Sequence, residues 1–272
     1  MAVKRLRLQL NRRVDSLFVG AYKSAFRGAG LEFEDVRPYS PGDDVRRMDW
    51  KLTARQRRPY VKVFRESREL TLVLVLDVSA SMRACGADRL AMTLAGALAF
   101  SAIQNGDRVG LLRFSDKLES WLPPGKSRNH LWRLLSQLHD PVGKTSKGTR
   151  LQAASMAIRQ HVSRRSTLCF LSDFIFPIDE SWPVLCRRHV VHGLLLCDRH
   201  DQLSSGDALV DVMDAESGRY RLATLSQLSQ QGDEESRLTS LRSGGSPASL
   251  ISTTMDPISA LHRHFLHAEN RR

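Results

Sequence analysis

Short aliphatic runs alternate with longer amphipathic segments along most of this 272-residue chain. Residues 71–77 (TLVLVLD) lack the polar alternation of a half-exposed strand, so they predict a strand that is covered on both faces. Residues 88–105 place leucines at helical spacing between a possible capping residue, Asp88, and a terminating glycine, Gly106. Residues 108–114 are again mainly aliphatic. Strand, helix and strand in this order predict a βαβ unit.

The same alternation continues further along the chain. Helices are predicted near residues 129–138, over 151–161 and near 181–187, and strands over 167–172 and 190–197. Together these elements predict an α/β fold with a doubly wound, mostly parallel sheet of the Rossmann type. Such sheets bind ligands at the carboxyl ends of their strands, near the topological switch point. Residues that directly follow a strand are therefore the first candidates for a functional site.

The last quarter of the chain adds three predicted elements. Alternating residues on either side of a Glu-Ser-Gly turn predict an inserted β-hairpin at about residues 207–225. A final strand is predicted over residues 249–253. A closing helix is predicted from Pro257 to about His267, with Ile258, Leu261 and Phe265 at helical spacing.

The front of the chain, residues 1–69, is predicted to be a separate module before a domain over residues 70–272. It contains a basic amphipathic helix up to about Lys23, a loop-rich stretch and a strand over residues 60–64. The chain has 41 Lys and Arg against 29 Asp and Glu, a net charge of +12. Up to Leu70 there are 17 basic and 9 acidic residues, so most of the excess lies in this module. Such a charge is compatible with nucleic acid, an acidic protein or an anionic membrane as partner.

Neither a membrane span nor a secreted state is expected from the sequence. No stretch approaches the roughly 18 uninterrupted apolar residues of a spanning helix, and the N-terminus lacks the apolar core of a signal peptide. The four cysteines, Cys85, Cys169, Cys186 and Cys197, have neither the number of a disulfide framework nor the spacing of a zinc site. A cytoplasmic location with buried free thiols is the resulting prediction.

Oxygen-bearing side chains follow two of the predicted buried strands. Asp77-Val-Ser79-Ala-Ser81 comes directly after the first, and Asp173 follows the strand over residues 167–172. Thr149 stands at the start of a predicted helix. Carboxylates and hydroxyls are hard donors that suit Mg²⁺ or Mn²⁺. The alternative is that the aspartates only cap loops and the hydroxyls only satisfy backbone donors.

These residues resemble the metal-ion-dependent adhesion site (MIDAS) of von Willebrand factor A domains. In that family the serines and threonine coordinate Mg²⁺, the aspartates act directly or through water, and a carboxylate of the partner completes the coordination. The resemblance implies a metal site formed by five residues: Asp77, Ser79, Ser81, Thr149 and Asp173. Arg150 is a departure, because related bacterial domains often have an acidic residue after the threonine.

The upstream module resembles a second, narrower family. Residues 30–39 (GLEFEDVRPY), 40–46 (SPGDDVR), 48–50 (MDW) and 61–64 (VKVF) are similar to the signature of the bacterial family catalogued as the fifty-eighth domain of unknown function. Members commonly accompany MoxR-type AAA+ ATPases, which implies chaperone-like maturation or assembly of client proteins. Many relatives have N-terminal membrane helices that are not evident here. The module either docks on the α/β core, with Trp50 as an apolar anchor, or binds a partner directly.

Catalytic sites are not evident in the sequence, so a non-enzymatic role is predicted. An aspartyl phosphatase would need a second carboxylate two residues after Asp77, where Ser79 stands. Residues 143–146 (GKTS) lack the earlier glycine of a P-loop. The C-terminal histidines, His262, His264 and His267, are predicted to be solvated, and His189 and His192 do not suggest a catalytic base.

Two functions from different classes follow. The first is metal-bridged recognition of a protein, either a MoxR-type ATPase or its client, through an acidic side chain of that partner. The second is a basic nucleic-acid-associated module whose metal site is structural or degenerate. Only Tyr60 lies within a cluster of basic residues, whereas single-strand readers interleave several aromatic residues for stacking. Nucleic acid is therefore the less favoured partner.

Overall fold

The protein's structure, a computed structural model, describes residues 31–66, 70–84, 86–140, 148–197, 209–213, 220–224 and 234–269. The predicted helix up to Lys23, Cys85 and residues 143–146 lie outside this part of the chain. The chain forms two compact units, a small one over residues 27–70 and a larger one that includes residues 71–272.

The smaller unit contains an antiparallel pair of strands and a short helix. Its elements are β1 (Leu31–Pro38), a 3-10 turn (Val45–Arg47), α1 (Trp50–Gln56) and β2 (Tyr60–Glu66). Asp49 caps α1 by accepting hydrogen bonds from the main-chain N–H groups of Lys51 and Leu52, at 3.1 and 3.0 Å. The sequence predicted β2 but neither β1 nor α1. Trp50 is 67% exposed, so it is not buried within its own unit.

The larger unit is built on a six-stranded sheet. Its strands and helices are, in chain order, β3 (Thr71–Asp77), α2 (Ala80–Ala84), α3 (Ala87–Gln104), β4 (Arg108–Phe114), β5 (Leu118–Gly125), α4 (Arg128–His139), α5 (Leu151–His161), β6 (Thr167–Ser172), α6 (Ser181–Arg188), β7 (Val190–Cys197), β8 (Leu209–Met213), β9 (Tyr220–Thr224), α7 (Glu234–Ser243), β10 (Ala248–Ser252) and α8 (Pro257–Glu269). The strand order is β10-β7-β6-β3-β4-β5. Neighbours are parallel except for β4 and β5, so the predicted α/β class with a mostly parallel sheet is confirmed.

Helices cover both faces of this sheet. The helices α5, α6 and α7 share one apolar cluster with strand residues such as Val73, Val75 and Phe170. The alternate residues Leu72 and Leu74 are equally buried, at 1% and 0% exposure, and α3 packs with α4 and α8. Because successive side chains of a strand point to opposite faces, both faces of β3 must be apolar. This explains the unbroken aliphatic run that predicted the strand.

Three elements of the larger unit escaped prediction, the short helix α2, the strand β5 and the helix α7, and one inserted pair was found. The edge strand β5 contains two prolines and mostly half-buried residues, which obscure a strand pattern. The helix α7 buries only Leu238 and Leu241, so it has too little apolar periodicity to stand out. The strands β8 and β9 pair antiparallel, as expected for the inserted hairpin.

The prediction of solvated C-terminal histidines is wrong for His264. Its side chain is 2% exposed, with Nδ1 2.8 Å from Ser249 Oγ and Nε2 3.0 Å from His192 Nδ1. Leu261, His264, Phe265 and Ala268 all lie on the buried face of α8, which is therefore wider than its apolar residues alone suggested. Burial lowers the pKa of His264 to about 4.

Two further expectations can be compared with the described residues. Cys169 is buried, whereas Cys186 and Cys197 are only partly buried, so the prediction of buried thiols is wrong for this pair. None of the helices described here is both long and apolar enough to cross a bilayer.

Candidate functional site

The switch point of the sheet lies between β3 and β6. From β3 the chain proceeds to β4 and β5 on one side of the sheet, and later returns to β6, β7 and β10 on the other. The two central strands are parallel, with Leu76 beside Leu171, so Asp77 and Ser172 end them at the same edge. Ser172 Oγ donates a hydrogen bond of 2.6 Å to Asp77 Oδ2. This is the place where doubly wound sheets bind ligands.

Four of the five predicted metal ligands meet at this edge. Asp77 Oδ1 accepts a hydrogen bond of 2.9 Å from the main-chain N–H of Ser79, and Ser79 Oγ lies 3.0 Å from Ser81 Oγ. The Ser81 hydroxyl in turn hydrogen-bonds the carboxylate of Asp173. Asp77, Ser79 and Asp173 are 1%, 0% and 3% exposed. The turn from Asp77 to Ser81 thus links the carboxylates of Asp77 and Asp173, which follow neighbouring strands, through the two serines.

Thr149, the fifth predicted ligand, approaches the same edge through main-chain contacts at the end of β4. The carbonyl of Phe114 accepts a hydrogen bond of 2.9 Å from Val78 N–H, inside the turn between Asp77 and Ser79. The next carbonyl, that of Ser115, accepts a 3.1 Å bond from Arg150 N–H, directly after Thr149. The end of β4 therefore holds both loops. Thr149 Oγ1 is buried and has no hydrogen-bond partner within the described part of the chain.

The two carboxylates are held in an unfavourable electrostatic setting. Burial is the larger cause and the charge of Asp173 the smaller one, and together they raise the pKa of Asp77 to about 7. Hydrogen bonds from Ser172 and Ser79 act in the opposite direction but do not outweigh them. Burial also raises the pKa of Asp173, although Ser81, the N–H of Ile175 and the charge of Arg237 act in the opposite direction. Both carboxylates are thus less acidic than ordinary aspartates, and a cation between them would reverse that effect.

The backbone after Asp173 is strained. Phe174 has φ +49°, in the left-handed region, and its ring is 1% exposed. Such a conformation costs roughly 1–3 kcal/mol for a residue other than glycine and tends to persist where function requires it. Ser172 Oγ accepts a hydrogen bond of 2.9 Å from Phe174 N–H, and Asp173 Oδ1 accepts one of 3.1 Å from Ile175 N–H. Side chains of the site therefore hold the turn in place.

Three residues of this site were missed from the sequence. Ser172 is the last residue of β6, directly before Asp173, and could have been found from the sequence as a hydroxyl at a strand end. Arg237 lies on α7 and donates a 2.5 Å hydrogen bond to the main-chain carbonyl of Asp173. Neither this contact nor the strained φ of Phe174 has any local signal in the sequence, because both depend on how distant segments pack.

The donor set suits a small hard cation. It consists of two carboxylates and three hydroxyls, with no nitrogen or sulfur atom, which is the chemistry that Mg²⁺ and Mn²⁺ prefer. Asp173 Oδ2, like Thr149 Oγ1, is buried and accepts no hydrogen bond from the residues that the structure describes. Those residues contain no group of three His, Cys, Asp or Glu side chains, so hydroxyls must supply the rest of any such coordination. The residues present fit a divalent cation.

Comparisons with known proteins assign the chain to a family without naming an activity. It is 33% identical over 228 residues to uncharacterized proteins of Mycobacterium bovis and Mycobacterium tuberculosis, which covers 81% of this chain and 72% of each relative. Among solved structures, BatB of Bacteroides thetaiotaomicron matches 74% of this chain and 99% of its own, with 13% identity and a TM-score of 0.43. An aerotolerance-related membrane protein of Bacteroides fragilis matches 75% and 100%, with 15% identity and a TM-score of 0.47. The model of the family described as "Protein of unknown function DUF58" matches residues 35–232, well over half of the chain, and the protein therefore belongs to the DUF58 family.

Proposed function

We propose that the protein is a non-enzymatic, metal-dependent protein-interaction module with a von Willebrand factor A-type domain. The strand order supports the fold type: counted within the six-stranded sheet it is 3-2-1-4-5-6, with the third strand antiparallel at one edge. The observation that carries the function is the pair of buried oxygens, Thr149 Oγ1 and Asp173 Oδ2, without hydrogen bonds among the described residues: Asp173 crowds Asp77, and the loop of Thr149 is held at the same edge of the sheet. Buried polar atoms are rarely left so unless a ligand or water satisfies them.

The residues of the site have different roles in the proposed binding of a cation. Asp77 and Asp173 supply negative charge, and the hydroxyls of Ser79, Ser81 and Thr149 supply neutral donors. With only two carboxylates in the set, a bound Mg²⁺ or Mn²⁺ would keep affinity for a further carboxylate, supplied by the partner. Ser172 and the end of β4 position the ligands without being ligands themselves.

The partner we propose is a MoxR-type AAA+ ATPase or one of its client proteins, in the cytoplasm. This part of the proposal rests on the resemblance to the family whose members commonly accompany such ATPases. The role would be chaperone-like maturation or assembly of the client, in which the metal site grips an acidic side chain.

Calorimetric titration of Mg²⁺ and Mn²⁺ tests the metal site. Thr149→Val removes the buried Oγ1 while keeping the shape of the side chain, so we expect at least tenfold weaker binding, about 1.4 kcal/mol. Thr93→Val is the matched control, because Thr93 donates its hydroxyl to the Arg89 carbonyl within α3, away from the site. Equal binding by wild type and Thr149→Val, or no binding by wild type, would contradict the proposal.

Co-purification with a MoxR-type ATPase tests the partner. Wild-type protein should retain the ATPase in Mg²⁺ and release it in EDTA. Ser79→Ala, which removes a predicted ligand, should retain much less. Undiminished retention by Ser79→Ala, or in EDTA, would show that the metal does not bridge the two proteins.

One observation favours nucleic-acid binding as a second candidate function. The exposed Trp50 lies in the same short segment of the smaller unit as four exposed basic residues, Lys51, Arg55, Arg57 and Arg58. Exposed aromatic and basic side chains together can stack on bases and contact phosphates. A salt-sensitive affinity for single-stranded DNA that Trp50→Ala and a double Arg57→Gln, Arg58→Gln variant abolish would support it.

A further inference from the structure

Three exposed side chains belong to the segments that form the candidate metal site: Arg83, Arg150 and Ile175, here called the rim. Each is tied to a residue of the site. Arg83 donates a hydrogen bond of 2.7 Å to the carbonyl of Val78, between Asp77 and Ser79. Arg150 directly follows Thr149. The main-chain N–H of Ile175 donates to Asp173 Oδ1, as described above.

The two rim arginines are not neutralised by acidic residues of the described chain. The ion pairs found there, Arg37 with Asp43 and Lys62 with Asp49, both lie in the smaller unit. The acidic residues that follow Ser115 are Asp116, in the loop, and Glu119, in β5; each lies within hydrogen-bond distance of Ser115 Oγ, at 3.1 and 2.6 Å. The guanidinium groups of Arg83 and Arg150 are therefore available to an incoming anion.

Ile175 adds an apolar contact at the same place. It is 65% exposed, which alone would be unremarkable for a surface residue. The preceding residue, Phe174, has a strained φ and a buried ring, whereas the side chain of Ile175 faces solvent. Backbone strain of this kind clusters at binding sites, so Ile175 is a candidate contact for a ligand of this site.

We propose that the rim selects a partner segment that carries several acidic residues next to an apolar one. One carboxylate of the segment binds the metal, at least one other pairs with Arg83 or Arg150, and the apolar side chain packs on Ile175. A protein segment is favoured over a nucleic acid because phosphates would leave Ile175 without an apolar contact. This inference rests on the proposed metal-dependent function and specifies the class of partner.

Selection from a random peptide library displayed on phage, in Mg²⁺ and in EDTA, tests this specificity. Wild-type protein should enrich, only in Mg²⁺, peptides with two or more Asp or Glu residues adjacent to Leu, Ile or Val. The double variant Arg83→Gln, Arg150→Gln should bind such a peptide about three- to tenfold more weakly by fluorescence anisotropy, since each exposed ion pair contributes modestly. Ile175→Ser should lose about tenfold by the loss of apolar contact.

Two control variants and a single-stranded oligonucleotide distinguish failure of this inference from failure of the proposed metal site. Arg89→Gln and Val184→Ser alter an exposed arginine and an exposed apolar residue on other elements, α3 and α6, and should change nothing. Intact Mg²⁺ binding with enrichment of single-carboxylate peptides, or with no enrichment, would overturn the inference while leaving the metal site standing. Mg²⁺-dependent binding of a single-stranded oligonucleotide that the arginine variant loses would also overturn it. Failure of wild type to bind Mg²⁺ would instead refute the proposed function.

Discussion

Replacing Asp77 with asparagine should stabilise the metal-free protein at neutral pH. The pKa of this buried carboxyl is about 7 in the folded chain, against an ordinary 3.8, because of burial and the neighbouring Asp173. Between these two values the folded chain keeps a proton that the unfolded chain has lost. Stability therefore falls as pH rises, by about 1.4 kcal/mol for each pH unit. From pH 4 to pH 7 the loss amounts to about 3 kcal/mol, because the slope is smaller near each of the two pKa values.

The Asp77→Asn variant lacks this loss and retains the local hydrogen bonds. The Oδ1 atom of the asparagine can still accept a hydrogen bond from Ser79 N–H. Its NH₂ group can donate to Ser172 Oγ, which replaces the hydrogen bond that Ser172 donates to Asp77 Oδ2 in the wild type. The difference in unfolding free energy, variant minus wild type, should therefore grow by about 3 kcal/mol between pH 4 and pH 7 in EDTA. If the proposed metal site is correct, saturating Mg²⁺ should shrink or reverse this difference, because a bound cation would stabilise the charged wild-type site.

Urea titrations of both proteins across this pH range, in EDTA and in Mg²⁺, measure that difference. Buried histidines such as His264 have the opposite pH dependence, but they are present in both proteins and cancel in the comparison. A difference that stays constant within about 1 kcal/mol in EDTA would refute the reasoning, since burial and the charge of Asp173 would then not raise the pKa of Asp77.

The remaining predictions concern single side chains near the site and in the core. Ser172→Ala removes a hydroxyl that donates to Asp77 Oδ2, so urea titration should show a loss of about 1–3 kcal/mol, and an unchanged midpoint would contradict the hydrogen bond. Gly244→Ala would push its Cβ into Cδ1 of the buried Trp182, so thermal unfolding should show a loss of about 1–3 kcal/mol, and equal stability would mean that the ring can move aside. Because burial holds the pKa of His264 at about 4, below its ordinary 6.5, its contribution is complete above pH 6.5 and is lost as pH falls toward 4. Relative to His264→Gln, wild type should lose about 3 kcal/mol over that range, and a constant gap in urea titrations would argue against a neutral buried imidazole.

Much of the larger unit could be predicted because its strands are covered on both faces. Such strands require unbroken aliphatic runs, and the predicted bounds of β3, β4, β6 and β7 agree with the structure. The edge strand β5 and the helix α7 bury fewer residues, so their patterns are weak. The sequence pattern therefore predicts helices and strands more reliably when more of their side chains are buried.

The residues of the candidate site could be named from the sequence, but the contacts that hold them could not. Asp77 and Asp173 stand at strand ends, and the parallel sheet brings those ends together. Ser172, Arg237 and the turn at Phe174 fix the carboxylates, yet they gain this role only through contacts between segments far apart in the chain. The burial of His264 likewise depends on which face α8 turns to the core.

By itself, the sequence determined the α/β class, the order of the central strands along the chain and a set of oxygen donors at two strand ends. These properties follow from local periodicity and from residue types at positions that any parallel sheet exposes. Only the tertiary structure decided that the switch point lies between β3 and β6, that Asp77 and Asp173 crowd each other in a buried setting, and that Arg83, Arg150 and Ile175 are exposed on the segments that form this site. Charge and exposure depend on distances between side chains that are remote in sequence, and the packing of the whole unit sets those distances.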